Sequence, residues 1–195
     1  MLHMKLLSIR SKCLPWLLAL PALLLCGLPA WAQFRVEVTG VGMTQLPVVI
    51  APFKGEATAP QKLASIVQAD LERSGQFKGL AAGTAVLDEM SRPDWSTWRQ
   101  LSAEALVAGS VTRLADGRFD VRARLWDVVK GQDKGDFRDT VPAAELRLSA
   151  HRIADWVYQQ LTGTPGAFAS RISYVTKAGG RYSLWIADSD GESAQ

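Results

Sequence analysis

Residues 161–195 read LTGTPGAFASRISYVTKAGGRYSLWIADSDGESAQ, and this stretch decides the fold. A helix ends at Thr162-Gly163, where glycine takes the left-handed cap conformation. Pro165 and Gly166 then make a linker. Next come two runs, residues 172–177 and 182–187, joined at Ala178-Gly179-Gly180, which is the pattern of a β-hairpin. Asp188-Ser189-Asp190-Gly191 is a second turn, with Gly191 supplying positive φ. The hairpin is apolar on both faces: Ile172 and Tyr174 on one, Val175 on the other, and Leu184, Trp185 and Ile186 on the return strand. A lone two-stranded hairpin is marginal in water. It therefore reads as the first strands of a larger β-domain, loosely held while its neighbours are missing.

Working outward, the segments before it alternate between strand and helix patterns. Residues 34–39, FRVEVT, alternate apolar and polar, and Gly40 and Gly42 loosen the chain just after them. Residues 46–53 read as a buried strand bounded by prolines. Pro60 suits the first position of a helix carrying Leu63, Ile66, Val67 and Leu71, which Gly75 ends. Residues 77–80 form a short strand. Asp94 caps a second helix with Trp95, Trp98 and Leu101 on one side. Residues 106–113 and 119–128 make a hairpin about Asp116-Gly117, with Phe119, Val121, Ala123 and Leu125 on one face. Residues 137–141 add a strand. A last helix spans about 143–161, its stripe being Leu146, Ala150, Ile153, Ala154, Val157 and Leu161. Interleaving of this kind predicts an α/β domain with a mixed sheet and two or three helices, succeeded by the β-hairpin.

The first 32 residues read as a cleavable signal peptide. Lys5, Arg10 and Lys12 precede an apolar run that is too short and too Pro-interrupted for a comfortable span. Ala30-Trp31-Ala32 is an A-x-A cleavage site, which makes Gln33 the first residue of the exported form. Leu25 before Cys26 disfavours a lipoprotein site, where a small residue belongs. The whole chain has 22 Lys and Arg against 19 Asp and Glu. The leader holds three of the basic residues and none of the acidic ones, so the remainder balances at 19 against 19. No bulk charge then favours nucleic acid or an anionic membrane. Both cysteines, Cys13 and Cys26, also fall in the leader, so no disulfide holds the exported form. The expected organisation is residues 1–32 as signal, 33–166 as the α/β domain and 167–195 as the hairpin.

Chemistry is sparse. No metalloprotease, redox-dithiol, nucleophile-elbow or phosphate-loop motif is present. Nothing in the sequence calls for a catalytic residue, a cofactor or a metal. Gly40-Val41-Gly42 lacks the third glycine of a dinucleotide site and reads as a hinge. His151, the one histidine beyond the leader, lies beside the apolar stripe of the last helix with no partner cluster in sight, and reads as a surface or packing residue. Asp188 and Asp190 lack the further acidic ligands of a calcium loop. Among Trp95, Trp98, Trp126, Trp156 and Trp185, only Trp126, beside Arg122 and Arg124, reads as an exposed contact.

Two motifs carry a resemblance. Leu161, Thr162, Gly163, Gly166, Ala167 and Phe168, and then Arg171, Ile172, Tyr174 and Val175, are similar to the L-T-G-x-x-G-A-F and R-I-x-Y-V that join the two domains of the TolB family. Residues 66–77, IVQADLERSGQF, are similar to that family's first helix and its exit. The resemblance runs from Phe34 onward. It implies a periplasmic, non-enzymatic interaction protein of the Tol-Pal cell-envelope system, linking inner- and outer-membrane components and supporting envelope integrity and division. It implies contact between the periplasmic domain of TolA and the N-terminal strand, Gln33, Phe34, Arg35, Val36, Glu37, Val38 and Thr39. It also implies contact with Pal through a six-bladed propeller, of which this sequence carries only about the first two strands. Two alternatives stay open: a periplasmic glycan-binding module using Trp126, or a non-catalytic piece of a propeller-containing hydrolase.

Overall fold

The computed structural model describes residues 45–83 and 85–195. In them a five-stranded sheet has the order β2-β1-β3-β4-β5, and a separate two-stranded sheet pairs β6 with β7. The strands are β1 (Leu46–Ile50), β2 (Phe77–Leu80), β3 (Ala105–Arg113), β4 (Phe119–Asp127), β5 (Gln132–Val141), β6 (Arg171–Ala178) and β7 (Arg181–Asp188). The helices are α1 (Leu63–Arg73), α2 (Trp95–Gln100) and α3 (Leu146–Thr162). β1 runs parallel to both β2 and β3, while β3, β4 and β5 form an antiparallel meander. The mixed sheet and its three helices are those expected from the alternation of patterns.

The sheet is covered on both faces, which explains the near-continuous apolar run of β1. Val48 and Ile50 point to a core shared with Leu63, Val67 and Leu71 of α1, Phe119, Val121 and Leu125 of β4, and Leu146, Ile153 and Val157 of α3. Val49 points the other way, to a smaller core with Leu106, Trp98, Trp126 and Val128. α2 covers that face after its Asp94 cap, whose Oδ1 accepts the backbone N–H of Ser96 at 3.1 Å.

Three local readings change. α1 begins at Leu63, not at Pro60, and its N-cap Lys62 offers no oxygen. Glu56 takes that role from eight residues upstream, its Oε2 accepting the Ala64 N–H at 3.1 Å. β5 starts at Gln132, five residues before its apolar end, because the register shifts opposite Leu125/Trp126. Its polar residues mark an edge strand whose outer backbone faces water. Leu101 is 46% exposed and belongs to no core.

Candidate functional site

The residues expected to meet a partner, 33–39, and the cleavage residues Ala30, Ala32 and Gln33 lie outside the described residues. Within the described part, the richest chemistry gathers where the last helix meets the hairpin. The reason begins with α3. Leu146, Ala150, Ile153, Ala154 and Val157 turn inward along one stripe. Arg147 and His151, four residues apart, share a neighbouring stripe of the same helix. That stripe faces α1 on one side and the end of β7 on the other.

His151 is fully buried, so the reading of it as partnerless is overturned. Its Nδ1 lies 2.6 Å from Asp70 Oδ2 on α1, itself fully buried, and its Nε2 lies 3.6 Å from Asp190 Oδ2. The Arg147 guanidinium hydrogen-bonds the same Asp190 oxygen, and its Nε is 3.8 Å from Asp188 Oδ2. Arg73 donates to the other oxygen of Asp70 at 2.8 Å. From β6, Arg171 comes within 4.0 Å of Asp188. Sequence reasoning missed the cluster because its members are scattered from residue 70 to residue 190. The one signal was Asp70 itself, an acidic residue directly before the core-facing Leu71.

Burial alone would raise the Asp190 carboxyl. The backbone N–H of Glu192, the Arg147 hydrogen bond and charge, and the charge of His151 outweigh it and hold the group below the usual carboxylate range. The D-S-D-G segment is therefore a turn, as expected, and also a pair of anions inserted against α3. Asp70, His151 and Asp190 bring together donors of the kinds that hold metals. Their arrangement disfavours one: Asp70 sits on Nδ1, Asp190 on Nε2, and Arg147 already occupies the Asp190 oxygen. The cluster is an ion-pair seat for the β7-terminal turn.

A second seat lies one turn further along α3 and accounts for the spacing of the L-T-G-T-P-G-A-F run. Gly163 closes α3 at φ 78, the left-handed cap. The Asp155 carboxylate then accepts the backbone N–H groups of Phe168 and Ala169 at 2.6 and 3.0 Å. Gly166 lies so close that a Cβ there would stand 2.4 Å from Asp155 Oδ1 and 2.7 Å from its Cα. The Phe168 ring packs edge-on against Tyr158, with centroids 5.7 Å apart. Ser189 donates to the Phe168 carbonyl at 2.5 Å, tying the linker to the turn.

The hairpin beyond these seats is bare. Gly179 and Gly180 both have positive φ, as a two-residue turn between twisted strands requires. Val175, Tyr182 and Leu184 are more than three-fifths exposed, whereas Ala187 and Asp188 at its base are buried. Trp126 does not serve as an exposed contact: it is 5% exposed, in the smaller core beside Trp98. The glycan reading loses its residue. Among the described residues, no helix is long and apolar enough to cross a membrane.

These features define a class: a doubly covered α/β domain that carries an apolar β-hairpin on a polar seat. The family model for the TolB amino-terminal domain matches residues 34–134, and the chain belongs to that family. It is 67% identical over 166 residues to the Tol-Pal system protein TolB of Polaromonas naphthalenivorans, covering 85% of this chain and 39% of that one. With the TolB of Albidiferax ferrireducens it shares 64% identity over 168 residues, or 86% of this chain and 40% of the relative. The crystal structure of TolB from Acinetobacter baumannii superposes with a TM-score of 0.67 at 33% identity, covering 82% of this chain and 40% of that one. The chain thus spans about two-fifths of the length of these relatives.

Proposed function

We propose that the chain serves the Tol-Pal cell-envelope system as a non-enzymatic interaction protein in the periplasm, linking inner- and outer-membrane components and supporting envelope integrity and cell division. The observation that carries this reading is the identity of 62–67% to TolB proteins of that system. We further infer that residues 1–32 are removed as a signal, that 33–166 form the α/β unit, and that 167–195 open a propeller. In the proposal the Pal contact lies on the propeller. The TolA contact lies on residues 33–39, whose alternation suits strand addition to a partner's sheet edge.

Val36→Pro tests the contact. It deletes a backbone donor and fixes φ in the middle of that segment. The measurement is a titration of the chain, wild type and variant, against the periplasmic domain of TolA. The expected outcome is affinity weakened about tenfold, one lost ladder bond with its neighbours disturbed, and unchanged far-ultraviolet circular dichroism. Unchanged affinity in a folded variant would refute strand addition through residues 33–39.

A further inference from the structure

The two ring nitrogens of His151 face carboxylates that come from different parts of the chain. Asp70 belongs to α1, and Asp190 belongs to the turn after β7. Neutral imidazole donates from one nitrogen only, and the other then turns a lone pair toward a carboxylate. Here the Nδ1 contact to Asp70 is short, and Nε2, 3.6 Å from Asp190, has no hydrogen-bond partner among the described residues. Only the doubly protonated ring suits both neighbours.

Burial decides how the surrounding charges count. Asp70, Asp190 and Asp188 have side chains 0, 5 and 10% exposed, and Arg147 is 20% exposed. Arg73 on α1 and Arg171 on β6 are 47 and 57% exposed, so water screens them. In the dry part of the cluster, three carboxylates therefore face one guanidinium. A proton on His151 brings that part closer to balance, and buried charges need such compensation.

We propose that His151 is held as an imidazolium that latches the turn after β7 onto α1 and α3, and that losing this proton unseats the turn. The seating of the hairpin, and of any β-structure built upon it, then depends on the charge of that ring. Docking is full while the ring keeps both protons and Asp190 is ionised, and weakens once the ring proton leaves. His151 is the only histidine among the described residues.

The full chain carrying His3→Gln leaves His151 as its single imidazole. Nitrogen NMR of that ring across the pH range reads its protonation. Amide hydrogen exchange at Asp188 and Gly191, which donate to Glu192 and Asp188 carbonyls, reads the seat. The expected result is two protonated ring nitrogens on the acidic side. As the proton leaves, exchange should rise by about tenfold beyond the intrinsic base-catalysed increase, because the dry carboxylates lose a compensating charge. Asp190→Asn, which keeps the Asp70 contact, should abolish that extra rise while leaving β3 and β4 protected. A ring carrying one proton throughout the range overturns the proposal. So does a turn whose exchange follows the intrinsic rate alone, or an extra rise that survives in Asp190→Asn.

Discussion

The α/β body and the β-hairpin spend their apolar residues in opposite ways. In the body, Val48, Leu63, Val121, Leu146 and Ile153 lie at or near zero exposure between sheet and helices. In the hairpin, Ile172, Val175, Tyr182, Leu184 and Ile186 are all at least 41% exposed. The body is held by burial of apolar area, at about 25 cal/mol per Å². The hairpin is held at its base, by carboxylates at 155, 188 and 190 that meet α3 or the linker it bounds. One attachment is non-directional and tolerant of solution conditions, and the other is directional, short-range and ionic. The same chain thus pairs a body built around two apolar cores with an element whose apolar faces suit further β-structure.

The largest effect should come from breaking the body. Ile153 is fully buried on α3, facing the sheet. Ile153→Ala removes its outer methyls and leaves a cavity, which costs about 2–5 kcal/mol. Chemical denaturation should show the midpoint falling by that amount with the slope unchanged. A loss under 1 kcal/mol would mean that α3 does not anchor the core.

Most of the body was legible because two periodicities carry it. β4 announces its inner face as Phe119, Val121, Ala123 and Leu125, and α3 announces its stripe from Leu146 to Val157. Asp94 announces a cap that is present. The illegible features depend on long-range partners. Glu56 caps α1 across eight residues, and no local rule foretells it. Trp126 lies next to arginines along β4, so its strand neighbours suggest a wet face. Only the placement of α2 over that face reveals it as core. His151 looks idle until Asp70 and Asp190, 81 and 39 residues away in sequence, come to its two nitrogens. The family motif was visible as spacing alone. Its cause, the approach of Gly166 to Asp155, is visible only in three dimensions.

That approach gives the next prediction, aimed at the joint between the two regions. Gly166→Ala places a methyl 2.7 Å from the Asp155 Cα, a backbone atom that cannot swing aside. The linker must move, and the Asp155 bonds to Phe168 and Ala169 lengthen or break. The cost is about 1–3 kcal/mol, typical of overpacking. It should fall on the joint: exchange speeds up for amides 168–170 and 187–191, while β3 and β4 keep their protection. Uniform loss across the body would show that linker and core unfold as one unit.

Acid should separate the regions more gently. Burial works against ionisation of Asp190, but the Glu192 N–H, Arg147 and His151 overcome it and hold the carboxyl below its ordinary range. A folded carboxyl below its unfolded value contributes stability above the ordinary carboxylate range, and loses it as pH falls through the folded value. Below about pH 4, then, the turn should loosen before the body does. Trp185, on β7, should report this in fluorescence at a higher pH than the circular dichroism of the α/β unit. Coincident transitions would place the seat inside the cooperative core.

The smallest effect on stability belongs to the hairpin's own apolar faces, and it sharpens the comparison most. Leu184 is 68% exposed, midway along β7 and opposite Val175. In an element held by its core, a leucine at such a central position would cost several kcal/mol to replace. Here it contacts little, so Leu184→Ser should move the unfolding free energy by less than about 0.5 kcal/mol. Its consequence lies elsewhere. Exposed leucine, valine and tyrosine on an unpaired sheet invite association with another apolar surface. The variant should therefore shift the sedimentation profile at high concentration toward the monomer, with the melting curve unchanged. A loss of stability comparable to that of Ile153→Ala would show that Leu184 is packed in solution and that the hairpin has a core of its own.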